Sequence, residues 1–451
     1  MAGGREHFGS SAAAVMAMAG SAIGLGNIWR FPYMVGQNGG AAFIIIYLLS
    51  AFFLSLPILL SESIIGRRTH AGTFGAMERL APGTRWKWLG FLTVISPLII
   101  LSYYSVVGGW SIEYLIKAAG SGFGEDVPSL FGEFIAGPWA PLICHTLFLL
   151  LTAVVVSAGV KGGIERFNRI SLPLLFLLII VIMVYALTLP GSGEGVRYLL
   201  RPDFSKITPS AVASAMGQSF FSLSLGVGTI LTYSSYMKKS ANLFTSGLGT
   251  AFFDLLFALL AGFAVMPAVF AAGIEPGAGP GLIFETLPYI FAKMGAVAPW
   301  LSRGVSVLFF LTIVIAALTS SISMCEVGVA YLVDEKRMSR AKASALVFGG
   351  TWLLGALCSL SFGPLSGVHL LGRTIFDFCD ALTSNYLMTF GSLLFVLFVG
   401  WKMPRAAVWD EFTNGGTLSG NRRIFGVVWF LVRYVAPLVI LTIFLTNLLA
   451  G

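Results

Sequence analysis

Two short stretches place polar groups inside otherwise apolar runs, and both have the residue types needed to bind a small charged molecule. Gly20-Ser21-Ala22-Ile23-Gly24-Leu25-Gly26-Asn27-Ile28-Trp29-Arg30-Phe31-Pro32 interrupts a run that is apolar from Ala12 to Ala19 and again from Phe31. Gly217-Gln218-Ser219-Phe220-Phe221-Ser222-Leu223-Ser224-Leu225-Gly226-Val227-Gly228-Thr229 is a second interruption of the same kind. A helix unwound at such a point leaves amides and carbonyls free at membrane depth. Lipid offers them no hydrogen-bond partner, so the break is tolerated only where it is buried in protein or lines a polar cavity. The chemistry available is binding. Close helix packing through small residues is the plainer reading of the glycines. It accounts less well for two breaks that each gather hydroxyl or amide side chains.

The elements that must position these residues are membrane helices. Of 451 residues, 57% are hydrophobic and 11% charged, and the mean hydropathy is +0.87, which no soluble domain matches. Apolar runs close to the roughly 20 residues that a spanning helix needs recur along the whole chain. They predict about eleven spans, at 11–36, 41–66, 88–116, 139–159, 170–189, 211–236, 244–272, 298–333, 344–362, 374–401 and 424–449. The two breaks fall in the first and sixth spans, which correspond if the chain holds two five-span halves. Paired broken helices of this kind point to an inverted-repeat transporter with a site at mid-membrane. The first span carries its glycine break and Arg30 where a signal peptide would have a small-residue cleavage site, so no cleavable leader is expected.

Lysine and arginine set the expected orientation. With the N-terminus inside, the even-numbered connections carry Arg67, Arg68, Arg79, Lys161, Arg166, Lys238, Lys239, Lys336 and Arg337, whereas 119–138 has three acids and no basic residue. The net charge of +8 is then a topology signal, and no nucleic-acid partner is expected. The four cysteines lie in apolar surroundings and suggest neither a disulfide framework nor a metal site. His7, His70, His145 and His369 are scattered, and neither HExxH nor GxSxG occurs, so the chain does not read as an enzyme.

The string GSAIGLGNIWRFPYMVGQNGGAAF, the SESIIGR end of the second span, SYY in the third, GQSFFSLSLGVGTILTYSSY in the sixth, IEPGAGPGLIFETLP after the seventh and AALTSSISMCE in the eighth together resemble the neurotransmitter:sodium symporter family. The likeness is to its bacterial amino-acid transporters and runs from Arg5 to the last span. It implies an all-α polytopic membrane protein of two inverted five-helix repeats (8–190 and 205–402) with helices 1 and 6 broken, followed by an extra helix at 424–449. It also implies import of a neutral hydrophobic or aromatic L-amino acid, coupled to sodium.

The same resemblance implies two sodium sites, and the residues here suit a hard cation that prefers oxygen. One would use the carbonyls of Gly20, Ile23 and Ala316 with the hydroxyls of Thr319 and Ser320. The other would use the Ala22 carbonyl, the Asn27 amide oxygen, the Ser222 hydroxyl and a side chain of the seventh span, with one substrate carboxylate oxygen. Thirty-two residues beyond Ser222 stands Asp254, where many relatives have asparagine, and Ala258 follows one turn later. An acid inside a span is a functional candidate by default. Asp254 is expected to supply the fixed negative charge that other members obtain from chloride, making transport chloride-independent.

For the substrate, the resemblance implies contacts from Ser21, Ala22, Leu25, Gly26, Ile100, Tyr104, Phe221, Ser222, Ser224, Val227, Ser320 and Met324. Tyr104 would donate to the carboxylate, and carbonyls near Phe221 and Ser224 would accept from the ammonium. Gly24 replaces the aspartate with which monoamine carriers neutralise an amine, so a zwitterion fits better. Arg30 with Asp380 and the nearby Asp377 is expected to close the outer side, with Phe221 as a lid, and Arg5 with Asp334 and Tyr236 the inner side. Glu62 is expected to support unwound backbone. The expected setting is a bacterial inner membrane, multi-pass, with the N-terminus cytoplasmic. The oligomeric state is left open between monomer and homodimer. The alternative readings are a receptor or sensor that binds an amino acid, or a channel of the same fold.

Overall fold

Long apolar segments satisfy their backbone groups internally by winding into helices, and polar caps fix where several begin. Ser10 accepts from Ala13 N–H, Thr208 from Ala211 N–H, and Asn242 from the amides of Phe244 and Thr245, which satisfies donors that a first helical turn leaves free. The computed structural model describes residues 6–123, 127–274 and 282–450, and among these an isolated bridge between Leu370 and Arg373 is the one departure from helices and loops.

Among the described residues, nine helices are long and apolar enough to cross a membrane: Ala41–Thr69, Lys87–Ala119, Ala140–Ser157, Val160–Leu187, Leu243–Ala271, Pro299–Asp334, Arg340–Leu360, Ile375–Lys402 and Ser419–Thr446. Ser11–Ala22 and Gly26–Gln37, bent by 52° between them, make a tenth crossing. Pro209–Ser222 and Thr229–Ser234 form the remaining broken pair, in the sixth position. The architecture is thus an all-α, polytopic membrane fold with its first and sixth spans interrupted.

One boundary differs clearly from expectation. The fifth helix begins at Val160 rather than near 170, because the polar residues before the apolar run find partners within the protein. Glu165 accepts from Gly9 N–H at 2.9 Å, and Asn168 donates to Ile164 O at 2.9 Å.

The breaks lie where helices approach most closely. Gly226 has φ +78° and Gly228 φ +72°, a conformation that side chains with a Cβ rarely adopt. A Cβ on Gly391 of the tenth span would overlap Gly226 O, so the unwound turn sits directly on that helix. The first break is fully enclosed, with Ile23 and Ile28 at 0% exposure. Lipid-facing positions, by contrast, carry exposed Leu, Ile and Phe side chains along the fourth, fifth and last helices.

Candidate substrate and cation site

At the first break the chain leaves helical geometry at Ile23 (φ −71°, ψ 109°) and resumes in a wider helical turn over Gly26–Arg30. Several of the freed groups have a neighbour that takes them up. Leu25 N–H donates to Tyr104 OH at 3.0 Å, and Gly24 N–H to Asn27 Oδ1 at 3.0 Å. Gln218 donates to Gly26 O at 2.9 Å. Ser21 O accepts from Ser224 Oγ and Ser320 Oγ, both at 3.1 Å, and Ser21 Oγ donates to Ser323 Oγ at 2.7 Å. The second break is held by Glu62, which accepts from Gly226 N–H at 2.7 Å and from Leu231 N–H at 3.4 Å.

Two clusters of oxygens flank the first break. In one, Thr319 Oγ1 donates to Ile23 O at 2.9 Å and Ala316 O at 2.8 Å, and Ser320 Oγ approaches Ile23 O at 3.2 Å. Gly20 lies beside this cluster, close against Asn168, whose buried Oδ1 has no hydrogen-bond partner. In the other, Asn27 donates to Asp254 Oδ1 at 2.7 Å and to Ser222 Oγ at 3.0 Å, while Ser222 Oγ lies 2.8 Å and 2.9 Å from the two Asp254 oxygens. Tyr47 OH completes this group, 3.3 Å from Ser222 Oγ. All of Asn27, Ser222 and Asp254 are buried. Asn27 turns its amide nitrogen toward Asp254 and its oxygen toward Gly24 N–H, so the oxygen expected to meet a cation is engaged by backbone.

Among the described residues no group of three or more His, Cys, Asp or Glu could hold a metal ion. The oxygens that do converge are carbonyls, hydroxyls and one carboxylate. That donor set fits a hard alkali cation and lacks the soft or imidazole ligands that transition metals select.

Between the breaks is a cavity of about 30 Å³, lined by Ala22, Gly24, Ile100, Tyr104, Val227 and Met324, with Gly26, Phe221, Ser224 and Ser320 also at its wall. Phe221 separates it from a larger cavity of about 320 Å³ that Leu25, Arg30, Asp377 and Asp380 help to line. Gly24 is tightly surrounded. A Cβ there would overlap Ser320 Oγ and stand 2.7 Å from Tyr104 OH.

The expected gates are only partly brought together. Arg30 and Asp380 line the same cavity, but the ion pairs among the described residues do not join them. Arg30 instead covers the Phe221 ring at 4.6 Å, and Asp380 accepts from Ser384 Oγ at 2.9 Å. Asp377 is held at its helix start by Thr374. On the opposite face, Arg5 lies outside the described residues. Asp334 accepts from Gly72 N–H at 3.2 Å, whereas Tyr236 donates to Glu326 Oε1 at 2.6 Å, and Arg340 pairs with Glu326. Tyr236 thus engages a buried acid on the same helix as Asp334, Pro299–Asp334.

The pattern of the Sodium:neurotransmitter symporter family matches residues 5–123 and 138–450 of the chain. The uncharacterized sodium-dependent transporter YhdH of Bacillus subtilis is 40% identical over 444 residues, which cover 96% of this chain and 95% of the relative. The chain belongs to the sodium:neurotransmitter symporter family. An uncharacterized sodium-dependent transporter of Haemophilus influenzae is 36% identical, over 98% of both chains. The crystal structure of MhsT in complex with L-phenylalanine superposes with a TM-score of 0.90 at 39% identity, covering 98% of this chain and 100% of that one.

As a member of this symporter family the chain is a sodium-dependent, multi-pass membrane transporter and not an enzyme. Its small-molecule substrate and the bilayer are its partners. Four side chains at or near the symporter site were not singled out from sequence: Tyr47, Gln218, Asn168 and Glu326. Tyr47 and Glu326 lie in otherwise largely apolar helices and Gln218 in the polar GQSFFS break, whereas Asn168 stands between two arginines and gave no local signal. Gln218, within GQSFF, is the clearest case.

Proposed function

We propose that this transporter imports a neutral hydrophobic or aromatic L-amino acid together with two sodium ions, independently of chloride, by alternating access. The observation that carries the reading is the pair of oxygen clusters set against one small cavity. Thr319 and Ser320 share Ile23 O on one side, and Asn27, Ser222 and Asp254 gather on the other.

In this reading the first sodium site is made by Ala22, Asn27, Ser222 and Asp254 with the substrate carboxylate, and the second by Gly20, Ile23, Ala316, Thr319 and Ser320. A carboxylate oxygen shared with sodium couples the two ligands, and linkage requires that each strengthen the other's binding equally. Leu25 N–H and Tyr104 OH form the carboxylate end. Carbonyls and hydroxyls around Phe221 and Ser224 receive the ammonium. The remaining wall is Ile100, Val227 and Met324, where an unpaired charge would cost several kcal/mol. The small cavity enlarges when Phe221 swings toward the space beneath Arg30. The complex of MhsT with L-phenylalanine supports an apolar side chain for the substrate.

Asp254 carries the fixed negative charge that makes chloride unnecessary, and Ala258 beside it offers no hydroxyl for an anion. Two sodium ions crossing roughly 100 mV supply about 4.6 kcal/mol, enough to sustain more than about a thousandfold accumulation. The N-terminus is cytoplasmic, the membrane is the bacterial inner membrane, and residues 8–190 and 205–402 form the two repeats, with 424–449 as the added helix.

The test is a thermal-shift screen of the twenty amino acids with and without sodium, followed by uptake into proteoliposomes. Stabilisation by an apolar or aromatic amino acid only when sodium is present, with concentrative uptake of that compound, is expected. Sodium-independent binding, or equilibration without accumulation, rejects the reading.

A further inference from the structure

On the face away from the N-terminus, the helix Ser192–Leu200 and the loop after it place five charges around a cavity of about 290 Å³: Glu194, Arg197, Arg201, Asp203 and Lys206. Three cations within ten residues run against the charge asymmetry that otherwise orients the chain, so topology does not account for them. Among the described residues, none of the ion pairs includes any of the three. Asp203, the nearer acid in sequence, is occupied by its own loop, accepting from Ser205 N–H at 3.1 Å and Ser205 Oγ at 2.6 Å.

The rest of the cavity is anchored in protein, and exposed apolar side chains lie near it in sequence. Tyr198 OH donates to Gly36 O at 2.8 Å and reaches Val35 O at 3.2 Å, and its ring lies 5.3 Å from Phe270. Gly39 (φ +91°) brings the turn after the first span against Lys206, where a Cβ would stand 3.1 Å from the lysine Cβ. Beside the charges, Leu200 and Phe204 are 65% and 58% exposed. Charge next to exposed apolar side chains is the arrangement of a segment lying at a membrane interface.

We propose that this cavity binds the phosphoethanolamine headgroup of a phospholipid. The phosphate sits among Arg197, Arg201 and Lys206, where guanidinium groups offer paired donors to phosphate oxygens. The ammonium donates to Glu194, and the acyl chains run past Leu200 and Phe204. The presence of both signs around one space selects a zwitterion with a hydrogen-bonding ammonium over a purely anionic headgroup. One wall of the cavity is Gly39, in the turn that closes the first span. From the proposed function this takes only the orientation, which assigns the outer leaflet.

The test is native mass spectrometry of the full chain in mild detergent, with phosphatidylethanolamine, phosphatidylglycerol and phosphatidylcholine supplied in equal amounts. Phosphatidylethanolamine should be retained at least threefold over either of the others. The combined Arg197→Gln, Arg201→Gln and Lys206→Gln variant should lose that preference while keeping sodium-dependent uptake. Glu194→Gln should abolish discrimination against phosphatidylcholine while still retaining phospholipid. Unchanged adducts in the triple variant overturn the proposal. So does phosphatidylglycerol retained as well as phosphatidylethanolamine, which marks a plain anion site, or displacement of lipid by millimolar inorganic phosphate. Lipid retention is read whether or not the protein transports, so its failure is distinct from failure of the proposed function.

Discussion

Asn27 and Asp254, from the first and seventh spans, meet at 2.7 Å with the Ser222 hydroxyl between them. This buried carboxylate has hydroxyl and amide partners, and among the described residues no ion pair brings a basic side chain to it, so a cation is the natural complement to its charge.

Replacing Asp254 by Asn removes that charge while preserving shape and one acceptor. The expected result is a rise of about tenfold or more in the sodium concentration for half-maximal uptake, equivalent to about 1.4 kcal/mol. Wild-type uptake should be unchanged when gluconate replaces chloride. Strict chloride dependence of the wild type would reject the role given to Asp254.

Gly24 has no room for a side chain, since a Cβ would overlap Ser320 Oγ and crowd Tyr104 OH. Gly24→Ala should reduce uptake to background with the protein still folded, and Gly24→Asp should not create amine transport. Measured sodium-dependent uptake and melting curves separate loss of site from loss of fold. Wild-type uptake by the alanine variant would mean that the cavity is far softer than the packing indicates.

Arg30 stacks on Phe221 rather than pairing with an acid, which places its effect on the lid. Arg30→Ala should impair transport several-fold more than it changes the sodium concentration that stabilises the protein. Cation–π contact of this kind contributes about 0.5–2 kcal/mol. Unchanged transport would remove Arg30 from the gate.

Outside the spans, Glu411 on the helix Arg405–Thr413 pairs with buried Arg67 and with Lys239 at 2.7 Å. Burial alone would raise its carboxyl, but Arg67 and Lys239 outweigh burial and hold it below the ordinary value of 4.5. A depressed folded value contributes stability that is fully present above about pH 4.5 and is lost as pH falls through the folded value. The melting temperature should therefore hold from pH 7 to 5 and drop below 4.5. Glu411→Gln, which strands the guanidinium, should cost about 3 kcal/mol at pH 7 and flatten the acid limb. An unaltered acid limb in the variant would assign it to other groups.

Much of this was legible in the chain. Gly20, Gly24 and Gly26 mark the first break because no apolar span needs three glycines at its centre, and Ser224 to Gly228 mark the second for the same reason. Thr319 and Ser320 were legible only through the resemblance of AALTSSISMCE to the family, since hydroxyls in a span often bond back to their own helix, as Ser321 does to Leu318 O. The partners of single polar residues were less legible. Glu326 and Tyr236 are ninety residues apart in sequence, and which helices face each other is decided by packing that no local pattern records. The onset of the fifth helix failed for a related reason. Glu165 and Asn168 look like loop residues until Glu165 is seen to accept from Gly9 N–H and Asn168 to donate to Ile164 O.

Glu62 commits both oxygens to the amides of Gly226 and Leu231, which rivets the lower half of the sixth span to the second. One carboxylate thus grips the unwound turn and the helix that follows it. The Ser21 and Ile23 carbonyls of the first span are held instead by the hydroxyls of Ser224, Thr319 and Ser320, groups that can trade partners, so the two breaks differ in the kind of fastening that holds them.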